Sequence, residues 1–515
     1  MRRVPRAAAV HVRIMMCMTV AAALVMVVMG ALATSAAAAQ PLDRVEIECA
    51  DAAALVAAVE SSVAHRQAGS EVHLKLRGRV ELDGPLVIPR LQQSTGAAHP
   101  RLVLRGPAVF DGGVRVTDWT RDAKRPWMYI APLPSALRAL NESITQLWDG
   151  DRRVPPARTP ILHYTGVGEV NTTTGLAGSL VLNSSDGIPR GFAALSAVRL
   201  FLYHAWDISY HQLAEIRPVA GTASGLELVV ANKIKTLWGV GAGAPGYRYF
   251  LEGAEEFLHE GSATFVHDAA AKQLLYAPAD GAAPGAIVVP RLTELLRTDG
   301  ATDVTLQDIT FQHSAVDFSE CFNPSSFCEM QSAADQSVAA VHFTNSERVK
   351  LTNVSIRHTG GYGLWFDNGC RDVVASRVHL HDLGAGGVRM TAAHNITLVD
   401  SVVEDGGHVW RQGVGILMQT ANMSHVTHNS VSRFFYTGTL LASRHIWTIS
   451  LTLHALFLLK CLTGVGISVG WTWGFGPNVN GGSVISANKI HTIGQGELSD
   501  LGCIYHLGRD AGTLM

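Results

Sequence analysis

Apolar and polar positions recur along the second half of the chain with a unit of about two dozen residues. The segments "DVTLQDITFQH" (303–313), "RVKLTNVSIRH" (348–358), "DVVASRVHLHD" (372–382) and "NITLVDSVVED" (395–405) align so that Val304, Val349, Val373 and Ile396 share a column. The last three members are spaced 24 and then 23 residues apart. Each unit is rich in β-branched residues, alternates in part, and closes on glycines in "TGGYG", "LGAGG" and "EDGG". Such a unit is too short for a propeller blade and has no helical period. Three short strands without a helix make one coil of a parallel β-helix. A β-sandwich of irregular hairpins is the alternative, although it needs no register between successive units. "HVTHNSVSRF" and "SVISANKIHTIG" read as further coils.

Nearer the N-terminus, "AAALVAAVESSVAHR" has the pattern of an amphipathic helix that would cover the open apolar end of such a solenoid. The strand candidates "VHLKLRG", "PLVIP", "RLVLRG" and "AVFDGGVRV" follow, so residues 43–116 are expected to hold the cap helix and the first coils. From Thr117 the register disappears. The stretch to about Val288 contains Trp119, Trp127, Trp148, Trp206 and Trp238, and "LELVVANKIKTLW" and "KQLLYAPADGA" read there as antiparallel strands and a hairpin. An inserted β domain is therefore expected over 117–295, with coils resuming over 296–438 and again over 466–515.

Composition narrows the function classes. The 41 Lys+Arg against 43 Asp+Glu, with no long run of one sign, lack the basic face that a nucleic-acid binder needs. The 50 glycines beside 20 prolines, without a tripeptide period, imply many tight turns. "MRRVPRAAAVHVR", then "IMMCMTVAAALVMVVMGALA", then "TSAAAAQ" form a basic, apolar and small-residue series, a signal peptide over 1–39 cut near Ala39. The apolar run just reaches spanning length, so an uncleaved anchor is the alternative, and contact with a membrane is expected only in that case. Either way the chain is expected to be secreted or anchored in the secretory pathway. Sequons at Asn141, Asn171, Asn183, Asn353, Asn395 and Asn422 agree with that compartment. Cys321 and Cys328 in "CFNPSSFC" are close enough for a loop disulfide. No cysteine or histidine spacing suggests zinc.

Several stretches, in order, resemble the secreted right-handed parallel β-helix glycoside hydrolases with an inserted β-sandwich, grouped in glycoside hydrolase families 120 and 141. They are "FDGGVRVTDW", "LWDGDRRVPPARTP", "YFLEGAEEFLHEGSATFVHDAAAKQLLYAP", "VVPRLTELL", "GISVGWTWGFG" and "SDLGCIYHLGRDAGT", spread from about residue 44 to the last. The resemblance implies an all-β, pectate-lyase-like solenoid with an antiparallel insert. It also implies hydrolysis of xyloside- or fucoside-type glycosides by two carboxylates, with a carbohydrate substrate and neither cofactor nor metal. The chain departs from those proteins in two places. The apolar stretch 439–465 separates "FFYTG" from "GISVGW" and reads as a retained intron or an insertion that bulges from the solenoid. The chain also stops at "GRDAGTLM" where similar proteins continue, so further coils are expected past Met515.

Glycoside hydrolysis needs one carboxyl group to protonate the leaving oxygen and a second as nucleophile or base, about 5 Å apart for retention. Coils stack at about 4.8 Å, so one column in adjacent coils provides that separation. Asp382 and Asp405 share a column, with His358 one coil earlier. Repulsion between the two acids is expected to raise one pKa and keep that group protonated. The plain alternative is that both are turn residues preceding a bend. Asp500, in "SDLGCIY", looks most like the acidic motif of the resembled families, with Tyr505 and His506 lining its pocket. It lies about three coils, roughly 14 Å, from Asp405, too far for direct pairing. Trp365, Trp410, Trp471 and Trp473 are candidates for stacking on sugar rings or, plainly, for core. Glu255, Glu256 and Glu260 read as a solvated face. Two other functions compete: a non-catalytic carbohydrate-binding or surface β-helix, and a polysaccharide lyase. The coils carry neither the acidic cluster that lyases on this fold use nor the "DD" and "GHG" motifs of polygalacturonases.

Overall fold

The computed structural model describes residues 43–91, 100–140, 143–171, 173–182, 186–204, 207–219, 225–235, 248–318, 321–322, 328–329, 331–333, 338–435, 466–472, 476–477, 480–495, 498 and 502–515. The proposed signal segment, the apolar stretch 439–465 and Asp500 lie outside them. Among the described residues no helix is long and apolar enough to cross a membrane. The coils, cap and insert belong to one compact unit, Val45–Met515.

Alternation of apolar and polar residues produces strands that stack in parallel from coil to coil. One sheet is built from Leu86–Ile88, Leu296–Asp299, Ala339–Thr344, Tyr362–Asp367, Val388–Thr391, Ile416–Met418, Ile467–Val469 and Ile504–His506. A second, longer sheet carries two rows of strands. Its first row includes Lys350–Thr352, Arg371–Ser376, Ala393–Val399, His425–Thr427 and Val484–Ser486. Its second includes Ser355–Arg357, His379–His381, Val402–Gly406, Ser430–Phe434 and Lys489–His491. The long strands Leu102–Asp111 and Val304–Gln312 span both rows and join them. These sheets wind into a parallel β-helix, the architecture expected from the repeat.

Like residues stack inside. Leu306, Leu351, Ala375, Leu398, Val426 and Ile485 follow one another in register and are all buried. Phe311, Ile356, Leu380, Val403 and Val431 form a parallel column. Each large apolar side chain so buried stabilises the coil by about 1.5–3 kcal/mol relative to exposure. The register continues across 436–465, since Ile416 pairs with Ile467 and Ser430 with Lys489. Corners between coils are tight. A Cβ on Gly384 would lie 2.0 Å from the Gly360 carbonyl oxygen, so a side chain there would push stacked corners apart.

The helix Ala52–Gln67 closes the N-terminal end. The Asp51 carboxylate accepts the Ala54 N–H at 2.8 Å as its N-cap, and Leu55, Ala58 and Val59 join the β-helix core. The insert leaves after Leu102–Asp111 and returns before Leu296–Asp299. It is antiparallel, and its two main layers share edge strands, so that six strands close into a barrel: Leu162–Gly168, Leu176–Leu182, Leu226–Lys235, Ile208–Pro218, Arg199–Tyr203 and Arg248–Glu252. Two four-stranded antiparallel sheets flank it. One of them, with Gly113–Val116, Leu147–Asp149, Arg152–Val154 and Ile287–Pro290, carries the hairpin that reaches the site described next. Cys321 and Cys328 are disulfide-bonded beside the barrel, with Cα atoms 4.7 Å apart.

Candidate active site

At the corner after the second row of the long sheet, one residue per coil turns the chain with positive φ: His313, His358, Asp382, Asp405 and Arg433, between 52° and 61°. Left-handed backbone is uncommon outside glycine. The same bend recurs at Asp303, Arg348, Asp372 and Asn395 in another corner, so it belongs to coil geometry and does not by itself mark a site. It does carry five polar side chains out of one corner in a stack.

The insert's hairpin meets this stack at Asp382. Trp148 donates its indole N–H to Oδ2 at 2.7 Å, and His358 donates from Nδ1 to the same oxygen at 2.6 Å. Arg153 donates from Nε to Oδ1 at 2.7 Å, and from Nη2 to the carbonyls of Thr359 at 2.9 Å and Asp382 at 3.0 Å. The guanidinium also lies over the Trp148 ring, 4.6 Å from its centroid. Behind His358, His313 stacks at 4.9 Å and contacts the buried Asp111 carboxylate through Nδ1 at 3.0 Å. Asp382 is 7% exposed. Burial pushes its carboxyl up, but Arg153, His358 and His408 together outweigh that and hold it well below the usual carboxylate range.

Asp405, one coil on, faces outward with 39% of its side chain accessible. Partial burial raises its carboxyl and the Asp382 charge adds to that. Contact with His408, helped by Arg433 at 3.9 Å, outweighs both and leaves it below the ordinary value. The expectation that one of the two acids is raised and protonated is thereby overturned: cations and imidazoles surround the pair, and their attraction exceeds the mutual repulsion. His408 stands between the two, its Nε2 3.2 Å from Asp405 Oδ1 and 3.7 Å from Asp382 Oδ1. Its backbone is held by the preceding coil, with N–H bonds from Gly407 to Ala385, from His408 to Leu383, and from Val409 and Trp410 to Gly384.

His408 and Arg153 line a cavity of about 280 Å³ between the coils and the insert. Phe201, Phe250, Phe318 and Phe435 supply apolar walls, and Arg158 and Arg411 line it as well. One oxygen each from Asp382 and Asp405 and a ring nitrogen of His408 lie within 4.8 Å of one another, a spacing that could suit a metal ion. The donor set argues against one, because both Asp382 oxygens already accept strong N–H donors and an added cation would sit against Arg153.

The other sequence candidates fall elsewhere. His358 is 1% exposed behind Asp382, so it positions the carboxylate and cannot touch a sugar. Trp410 is fully buried against Tyr210 and Phe318, with centroids at 4.6 and 4.8 Å, which makes it core and not a stacking platform. Trp365 is sandwiched, with the His342 ring at 4.4 Å and the Arg389 guanidinium at 4.1 Å, so neither face is open to a sugar. Tyr505 and His506 lie in a strand of the shorter sheet and do not line the cavity, and His506 pairs with Asp510 at 2.9 Å. Trp148, Arg153 and His408 escaped the sequence reading. Their signals were present in "LWDGDRRVPP" and in "EDGGH", where a histidine follows Asp405 across two glycines.

The family model described as "Right handed beta helix region" matches residues 300–454. A solved structure named "Glycoside hydrolase" aligns with a TM-score of 0.72 at 15% identity, covering 92% of this chain and 86% of that one. The tailspike of Pseudomonas phage phi297 aligns with a TM-score of 0.18 at 9% identity, covering 85% and 52%. No curated protein matches the chain by sequence. The class defined is the right-handed parallel β-helix.

Proposed function

We propose that the protein is a secreted glycoside hydrolase acting on xyloside- or fucoside-type glycosides of poly- or oligosaccharides through Asp382 and Asp405. The observation that carries this reading is the carboxylate pair, one oxygen of each within 4.8 Å of the other, in contact with His408, a residue that also lines the cavity of about 280 Å³. The structural neighbour named as a glycoside hydrolase supports the same reading, and the Cys321–Cys328 disulfide suits an oxidising compartment. Asp405 is the accessible carboxylate and acts as nucleophile. Asp382, whose oxygens are held by three N–H donors, contributes fixed negative charge that stabilises the oxocarbenium-like transition state. Arg153 and Trp148 keep that charge in place.

The test is turnover of aryl xylosides, fucosides and arabinofuranosides by the purified protein. At least one should be hydrolysed, and Asp405→Asn should lower kcat at least about 10³-fold with circular dichroism unchanged. Failure to hydrolyse any of them, with the same glycans retained on an affinity gel, would replace this reading with a non-catalytic carbohydrate binder.

A further inference from the structure

The cavity between the coils and the insert is lined by more positive charge than its own acids balance. Arg153, Arg158 and Arg411 line it, and among the described residues on its walls Glu252 is the one acid. Glu252 is already paired with Arg199 at 2.6 Å, and Arg153 with Asp382 at 2.7 Å. Arg158 is exposed and forms no ion pair among the described residues.

The aromatic walls seat guanidinium groups. The Arg158 guanidinium stands 5.0 Å over the Phe250 ring, against which Phe201 is stacked with centroids 4.5 Å apart. The Arg411 guanidinium stands 3.9 Å over Phe435, and the His408 ring meets Phe435 edge-on at 5.9 Å. Phe201, Phe250 and Phe435 all line the cavity, so both cations are seated on its walls. A guanidinium held on a ring is pre-organised, and it still has N–H donors to offer an anion in a bidentate pair. An apolar surround strengthens that pairing.

We infer, resting on the glycosidase reading, that the glycan taken by this cavity is acidic. It carries a sugar whose anion, the carboxylate of a uronate or a sulfate ester, pairs with Arg158, with Arg411 as a second cation on the same walls. The carboxylate pair does not account for these two arginines. Asp382 has Arg153, and Asp405 has His408 and Arg433. A wholly neutral glycan would leave Arg158 paired with water alone. His408 lines the cavity and touches both carboxylates, so an acidic sugar held there adjoins the catalytic pair as a neighbour or substituent of the glycone.

The test is calorimetric titration of the full chain at low ionic strength, where screening is least. The probes are glucuronate-substituted xylo-oligosaccharides, oligogalacturonates and sulfated xylo-oligosaccharides. Each is run beside a neutral counterpart made by carboxyl reduction or desulfation, and Asp405→Asn replaces the wild type wherever turnover intervenes. At least one acidic probe should bind about tenfold or more tightly than its neutral counterpart, and which class does so distinguishes carboxylate from sulfate. In Arg158→Gln that ratio should fall to about two or less, while Arg158→Lys should keep part of it, because the charge survives and the fork does not. No acidic preference in the wild type, or a preference that survives Arg158→Gln, would overturn the inference. Turnover of neutral aryl glycosides without any acidic preference would defeat this inference and leave the glycosidase reading standing. An acidic preference lost in Arg158→Gln, with no glycoside hydrolysed, would defeat that reading and leave the anion site standing.

Discussion

One ionised carboxylate, Asp382, is buried where the insert meets the coils, with an arginine, an indole and an imidazole bonded to its two oxygens. Because its folded pKa is depressed, its stabilisation is fully present above the ordinary aspartate value of about 3.9 and is lost as pH falls below it. Asp382→Asn leaves Arg153 uncompensated and should lower the unfolding free energy at pH 7 by about 3–5 kcal/mol. In urea unfolding the gap from wild type should shrink steadily from about pH 4 toward pH 2. A gap independent of pH would contradict the charged network. The sequence alignment placed Asp382 and Asp405 in one column, but it could not show what surrounds them. Trp148 and Arg153 come from 234 and 229 residues away. Trp365 and Trp410, two of the tryptophans singled out for sugar binding, are large apolar groups that found partners in the core, so local sequence gave no means of telling platform from packing.

At the scale of elements, the coil is the part most legible in the sequence. The column read from Val304, Val349, Val373 and Ile396 corresponds to buried positions in the stacked strands or, for Val349, just before one, and Val373 pairs directly with Ile396. Alternation and spacing suffice for this because each strand has one buried face and a slip of one residue would expose it. The glycines that close the units have a local cause as well. Gly384→Ala would press its methyl on the Gly360 carbonyl. It should destabilise the protein by about 1–3 kcal/mol, and a urea melt that does not move would contradict the close stacking of the corners. The antiparallel insert was legible as a loss of register, whereas closure of its layers into a barrel depends on pairings such as Leu162 with Tyr249 that no local pattern specifies.

In the whole molecule, the solenoid stacks the acids and the insert completes the site. Coils alone would leave Asp382 without Arg153 and Trp148, and the cavity without the barrel's Phe201 and Phe250. The apolar stretch 439–465 interrupts the sequence without interrupting the ladder, since the strands on either side of it stay in register. The carboxylate pair can be interrogated directly. Incubating wild type with the activated 2-deoxy-2-fluoro analogue of the glycoside it hydrolyses, then measuring intact mass and mapping the labelled peptide, should reveal a glycosyl ester on Asp405. A label on another carboxylate, or continued turnover of the parent glycoside with no covalent adduct, would contradict the account.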